Sequence, residues 1–223
     1  MDLFHTLAFL VFPYISLAVF TVGHLYRYRT DRYGWTAKSS EFLEKENLFF
    51  GATIFHWGVL FTLAGHAGGL LIPQRLFDAA GIDAGAHTAI AYYSGIAVGH
   101  AAFIGALLLL LRRIFFRRIR ATTTFNDVVT LLALVFVTGA GLFNVLFGHY
   151  DVLYTVAPWI RGVVTFAPEP GLMRDVPVSY KVHILSAFAL LAFSPFSRLV
   201  HIWSAPVGYF FRSWILFRGK VSA

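Results

Sequence analysis

No cysteine occurs anywhere in the 223 residues, and methionine occurs only at Met1 and Met173. The first absence excludes thiolate-held iron–sulfur clusters, structural disulfides and covalent haem attachment through C-x-x-C-H. The second leaves almost no thioether ligand. Charge is scarce too: 13% of residues are Asp, Glu, Lys or Arg, about half the share of an ordinary soluble domain. No internal repeat or low-complexity tract interrupts the chain. What remains is apolar, 58% hydrophobic with a mean hydropathy of +0.69, the composition of an integral membrane protein. The formal net charge of +7 does not indicate nucleic-acid binding. The basic residues sit at the edges of apolar runs, where they suit lipid headgroups of an anionic leaflet.

Five apolar runs stand out: Leu3 to Leu25, Leu48 to Ile72, Thr88 to Leu111, Val128 to Phe147 and Val182 to about His201. Each is roughly the 20 residues that a helix rising ~1.5 Å per residue needs to cross ~30 Å of hydrocarbon. The sequence therefore predicts an all-α integral membrane protein with five transmembrane helices and one domain, residues 1–223, ending in a short amphipathic tail, 202–223. Pro13 and Pro195 lie inside spans and are expected to kink them. The first run has no basic stretch before it and no small-residue cleavage pattern after it, and reads as a retained helix. The longest link, Gly148 to Lys181, contains the loop-like "FAPEPGLMRDVP".

Basic residues set the orientation. Arg27, Arg29, Arg32, Lys38 and Lys45 follow span one. Arg112, Arg113, Arg117, Arg118 and Arg120 follow span three. Arg198, Arg212, Arg218 and Lys220 follow span five. The opposite side holds Arg75, Arg161, Arg174 and Lys181, a split of 14 against 4. The positive-inside rule places the N-terminus outside and the C-terminus in the cytoplasm.

With cysteine absent and methionine nearly so, a bound metal must depend on the nine histidines. "FHWGVLFTLAGHAGGLL", residues 55–71, carries His56 and His66 in an otherwise apolar run, and span five is opened by His183 and closed by His201. Imidazole is costly to bury in hydrocarbon unless something engages it. The eighteen residues from His183 to His201 return an ideal helix to the same face, and ten residues leave an offset of about 80°. The axial separations, ~15 Å and ~27 Å, differ, and a kink at Pro195 or helix tilt must absorb the difference. Spans two and five are antiparallel, since three crossings separate them. His56 therefore matches His201 in depth near the cytoplasmic side, and His66 matches His183 near the outer side. Two imidazoles on facing helices suit a six-coordinate b-type haem lying between them. Gly51, Gly58, Gly65, Gly68 and Gly69 of span two suit close helix packing as well as room for a flat macrocycle.

His5, His24 and His149 lie near span ends and read as structural. His100, deep in span three, lacks a depth-matched partner. His87 stands at the outer mouth of span three. Arg112, Arg198 and Lys181 lie at membrane boundaries near the haem-bearing spans and are candidates to pair with haem propionates, with ordinary snorkelling charges as the alternative.

The stretches "GATIFHWGVLFTLAGH" (51–66), "RATTT" (120–124) and "SPFSRLVHIWSAPVGYF" (194–210) closely resemble the gamma subunit of membrane-bound respiratory nitrate reductase, a dihaem cytochrome b. The resemblance covers essentially the whole chain, and "FSRLVHIWS" is its specific part. It implies that His56 and His201 hold the inner haem b and that His66 and His183 hold the outer one. It further implies a quinol-oxidising subunit in the bacterial or archaeal cell membrane. Quinol would release protons outside, and electrons would pass through both haems to a cytoplasmic iron–sulfur beta subunit and a molybdenum-containing alpha subunit. Members of that family carry a lysine near the start of span three. Here "GAHTAIAYY" (85–93) has none, and His87 stands in that region. Quinol oxidation needs a proton acceptor, and imidazole can serve near neutral pH. Gly65, His66 and His87 are accordingly the candidate quinol site.

Three rival readings stay open: a gamma-like dihaem subunit serving another reductase, such as one of sulfur metabolism; a histidine-containing transporter or proton channel; and a passive anchor. The transporter predicts no chromophore. The anchor leaves the depth-matched histidines unexplained.

Overall fold

Five helices are long and apolar enough to cross a bilayer: Leu3–Thr30, Glu46–Leu71, Ala84–Phe115, Phe125–Gly148 and Val178–Phe196. The computed structural model describes residues 3–31, 34–35, 40, 42–148 and 150–204, with no strand among them. The all-α, five-span expectation holds, as it must where hydrocarbon offers backbone groups no other partner. Four of the five helices begin a few residues ahead of the apolar runs, two of them at polar caps. Asp83 caps span three by accepting the Ala86 N–H at 2.7 Å. Thr124 and Asp127 form a reciprocal capping box at the start of span four.

Both intramembrane prolines act through the carbonyl four residues back, which loses its donor. Before Pro13 the helix widens into a π turn, Leu7–Val11. The carbonyl of Phe9 is left to accept the indole N–H of Trp159 at 2.9 Å. At Pro195 the carbonyl of Leu191, short of its α-helical donor, accepts both the Ser194 N–H and the Ser194 hydroxyl, the latter at 2.7 Å. Arg27 of span one then donates to the carbonyls of Pro195 and Ser197, at 2.7 and 2.9 Å. Here the structure departs from the expected continuous span ending at His201. Span five passes into a 3-10 turn, Ser194–Phe196, and His201 sits on a separate 3-10 turn, Arg198–Ser204. The face-and-rise argument for eighteen residues of ideal helix therefore does not apply to His201.

Span two packs on span three, three on four, four on five, and five on one. The approach of spans two and three needs residues without side chains. A Cβ on Gly58 would lie 2.3 Å from the Ala102 nitrogen, and one on Gly105 would lie 2.4 Å from the Phe55 nitrogen. Phe55, Ala106, Leu110, Leu131 and Leu134 fill the core among spans two to four. Spans two and five are not among the closely packed pairs of the described residues. The bundle is an arc with a gap between them.

The link between spans four and five has more structure than its loop-like composition suggests. It holds the amphipathic helix Val156–Val164 and a 3-10 turn, Pro170–Met173. Val156, Trp159 and Val163 are buried with Phe9, Met173 and Val176. This small core closes one end of the bundle, the end that bears His66 and His183. The tail from residue 205 onward, His149, Arg32 and Lys38 lie outside the described residues.

Candidate haem and quinol sites

The gap between spans two and five is bridged by two facing imidazole pairs. The rings of His56 and His201 have centroids 6.0 Å apart, and those of His66 and His183 are 6.2 Å apart. These are the two pairs that depth matching predicts. His56 and His66 are exposed to the gap, while His183 and His201 are partly buried.

Each of the four rings meets a backbone carbonyl through Nδ1. The acceptors are Ala52 for His56 and Thr62 for His66, both at 2.7 Å, Val137 for His183 at 3.1 Å, and Arg198 for His201 at 2.6 Å. A carbonyl only accepts, so Nδ1 carries the proton and the lone pair is on Nε2. This is how metal-ligating histidines are usually oriented. The spacing also suits one metal between two rings. A bond of ~2.0 Å to each imidazole nitrogen, plus about 1.1 Å from nitrogen to centroid, gives roughly 6.2 Å between centroids. No cluster of three or more His, Asp or Glu side chains able to hold a metal occurs among the described residues. Each pair could thus offer a metal two imidazoles, and the remaining ligands would have to come from a macrocycle.

Residues of span four complete the His66–His183 site without having been singled out by sequence. Gly141 lies under the His183 ring: a Cβ there would stand 2.9 Å from Cε1. Val137 supplies the carbonyl one turn earlier. Neither residue carries a chemical signal that sequence could register.

Charged groups gather at the other end. Asp127, 3% exposed at its side chain, forms a two-point ion pair with Arg198, one contact being Nη2 to Oδ2 at 2.7 Å. Arg113 approaches the same carboxylate at 3.4 Å. Arg198 thereby links Asp127 to His201 through its own carbonyl. Arg112 is nearly buried and spends its N–H groups on Ser40 and Glu44. Burial alone would raise the Glu44 carboxyl, but the hydrogen bonds and charge of Arg112, with the Asn47 N–H, hold it below the usual value. Lys181 donates to the Arg174 carbonyl at 2.8 Å.

Beside the His66–His183 pair, span two ends in a π turn, Ala67–Leu71, a distortion frequent at functional sites. A Cβ on Gly65 or Gly68 would meet nothing within 4 Å, so this backbone borders open space beside His66. His87 is buried, and its Nε2 lies 3.5 Å from where a Gly69 Cβ would be. His87 thus reaches span two at Gly69, in the turn that follows Gly65 and His66. Arg161 of helix Val156–Val164 caps the same turn by donating to Leu70 at 2.9 Å. Three further described histidines engage neighbours within their own helices. Nδ1 of His100 and of His24 donates within its own helix, to Ile96 and Phe20, and His5 packs on Phe4 and Phe9.

Comparison with known proteins agrees with this geometry. The chain is 42% identical over 214 residues to a nitrate reductase gamma chain of Bacillus subtilis, covering 94% of this chain and 96% of that one. It is 35% identical to the respiratory nitrate reductase 1 gamma chain of Escherichia coli, over 94% and 95% of the two chains. A cytochrome b-like subunit of an Hdr-like menaquinol oxidoreductase from Archaeoglobus fulgidus is 30% identical over 69% of this chain and 47% of that one. Residues 5–220 match the nitrate reductase gamma subunit family, and the chain belongs to that family as a membrane-spanning subunit of a respiratory nitrate reductase.

Proposed function

We propose that this chain is the quinol-oxidising dihaem cytochrome b of its complex. His56 and His201 hold an inner haem b, and His66 and His183 hold an outer one. The observation that carries the reading is the pair of ring separations, 6.0 and 6.2 Å, across a gap between helices that are not closely packed on each other. When bound, each haem supplies a one-electron carrier. The protein positions it, orients its ligands through the four carbonyls and surrounds it with low-dielectric packing. Arg198, three residues before His201, and Lys181, two before His183, are the propionate partners at the inner and outer sites. Arg112 is the third candidate, through what its contacts with Ser40 and Glu44 leave of its donors.

The basic side faces the cytoplasm, with the N-terminus outside, in the cell membrane of a bacterium or archaeon. Anionic lipid headgroups meet that face. An iron–sulfur beta subunit docks there and passes electrons to a molybdenum-containing alpha subunit that reduces nitrate. Quinol is oxidised near Gly65, His66 and His87, so its protons leave on the outer side. Charge then crosses the membrane by electron transfer alone.

The test is a redox difference spectrum of the purified complex with haem quantified per chain. Two reducible b-type haems are expected. His66→Ala and His183→Ala should remove the same one, and His56→Ala and His201→Ala the other. Absence of a reducible chromophore would favour the transporter reading. The Archaeoglobus relative, named for menaquinol oxidation rather than nitrate, supports a second assignment: the same dihaem subunit serving another reductase. Co-purification with a molybdenum subunit separates the two.

A further inference from the structure

We infer that Gln74 and Asp78 are positioning residues for His87, holding it as the acceptor of the quinol hydroxyl proton. This rests on the placement of quinol oxidation beside His66 and His87. Gln74 opens the short helix Gln74–Ala79, directly after Pro73. Its amide nitrogen donates to Asp78 Oδ1 at 2.9 Å and to the Ile82 carbonyl at 3.1 Å. Both neighbours are acceptors there, so the amide cannot be turned the other way. Its Oε1 must therefore face His87, and it meets Nδ1 at 2.7 Å.

An amide oxygen only accepts, so Nδ1 of His87 is the protonated nitrogen and Nε2 carries the lone pair. Nε2 is the nitrogen directed at the bare backbone of Gly69, in the π turn that continues from His66. Phe77 packs on the imidazole at 4.2 Å between centroids and fixes its plane. Sequence alone suggests His87 as a base. Only the tertiary structure shows which nitrogen is basic and what holds it so.

The proton step balances simply. The quinol O–H bond breaks, its electron pair stays on oxygen as quinolate, and the proton forms the Nε2–H bond of an imidazolium. Nδ1–H stays on Gln74 throughout. The carboxylate of Asp78, one amide removed, stabilises the resulting cation. The other charged groups nearby are Asp83, whose side chain caps Ala86, Arg75 on the Gln74 helix, and Arg161, bound to Leu70.

The experiment uses the complete complex and stopped-flow reduction of the b haems by a soluble naphthoquinol, followed against pH. Gln74→Glu, made together with Asp78→Asn so that the new carboxylate meets an amide donor rather than the Asp78 carboxylate, places an anion against Nδ1–H and favours the imidazolium. The acidic limb of kcat/KM should move to higher pH, by on the order of one pH unit. Gln74→Leu removes the acceptor and frees the tautomer. It should lower kcat at least tenfold with both haems retained. Asp78→Asn alone should shift the limb the opposite way from that double variant. His87→Ala tests the underlying reading: unchanged quinol kinetics there would remove His87 from the site altogether. If His87→Ala is slow but the pH profiles of the double variant and of Asp78→Asn match the unaltered protein, the positioning inference fails and the site assignment stands.

Discussion

Gly141 lies against the ring of His183, close enough that a methyl group in its place would stand 2.9 Å from Cε1. The contact comes from backbone of span four, so it gives way only by moving a helix or the imidazole. Span four thus sets the position of an imidazole borne by span five.

Gly141→Ala should consequently displace His183, and Gly141→Val more so. The expected outcome is weakened or lost haem at the His66–His183 site with the His56–His201 site intact. Haem content and the split of the reduced spectrum check it. A variant with normal content and unchanged potentials at both haems would show that the ring has room to shift.

Asp127 has the reverse bias. It is buried, pairs with Arg198 and Arg113, and accepts the Thr124 N–H at 2.9 Å. Asp127→Asn keeps an acceptor for that N–H but leaves two arginines without their counter-charge. Breaking one side of a buried pair costs on the order of 3 kcal/mol. Because Arg198 also carries the carbonyl that orients His201, the inner haem should be lost before the outer one. Thermal denaturation followed separately at the two haem bands would reveal the order, and simultaneous loss would count against the link.

Trp159→Phe removes the indole donor to the Phe9 carbonyl. Leaving a buried carbonyl unsatisfied costs about 1–3 kcal/mol. Pro13→Ala restores a backbone N–H four residues along. The double variant should therefore recover part of the loss, and a double-mutant cycle of melting temperatures measures it. Additive effects would mean that the proline and the indole act independently.

The Glu44–Arg112 tie predicts a dependence on acidity. With its carboxyl held below the usual value, Glu44 contributes stability that is present above the unfolded-state value of ~4.3. That contribution is lost as pH falls through the lower folded value. Glu44→Gln should be less stable than the unaltered protein at neutral pH, and the difference should shrink under acid. Equal differences at pH 7 and at about pH 3 would dissociate the tie from carboxylate charge.

Much of this was legible in the sequence for physical reasons. Hydrocarbon imposes length and apolarity on every span, so the five helices follow from composition and run length alone. Antiparallel order then pairs His56 with His201 and His66 with His183, because depth is additive along a helix. Helix starts were less legible, since Asp83 and Thr124 cap from outside the apolar runs. What only tertiary structure decided depends on contacts between distant segments. Pro195 ends span five early, and His201 reaches its partner from a separate turn fixed by Arg27 of span one. Gly141 has no side chain to announce its place under His183. The buried helix around Trp159 supplies a donor to a carbonyl 150 residues away that Pro13 deprives of its helical N–H. The proton-bearing nitrogen of His87 is set by Gln74, whose own orientation is forced by Asp78 and Ile82. A sequence specifies such groups one at a time, and their chemical state is settled by which acceptor the fold brings to each.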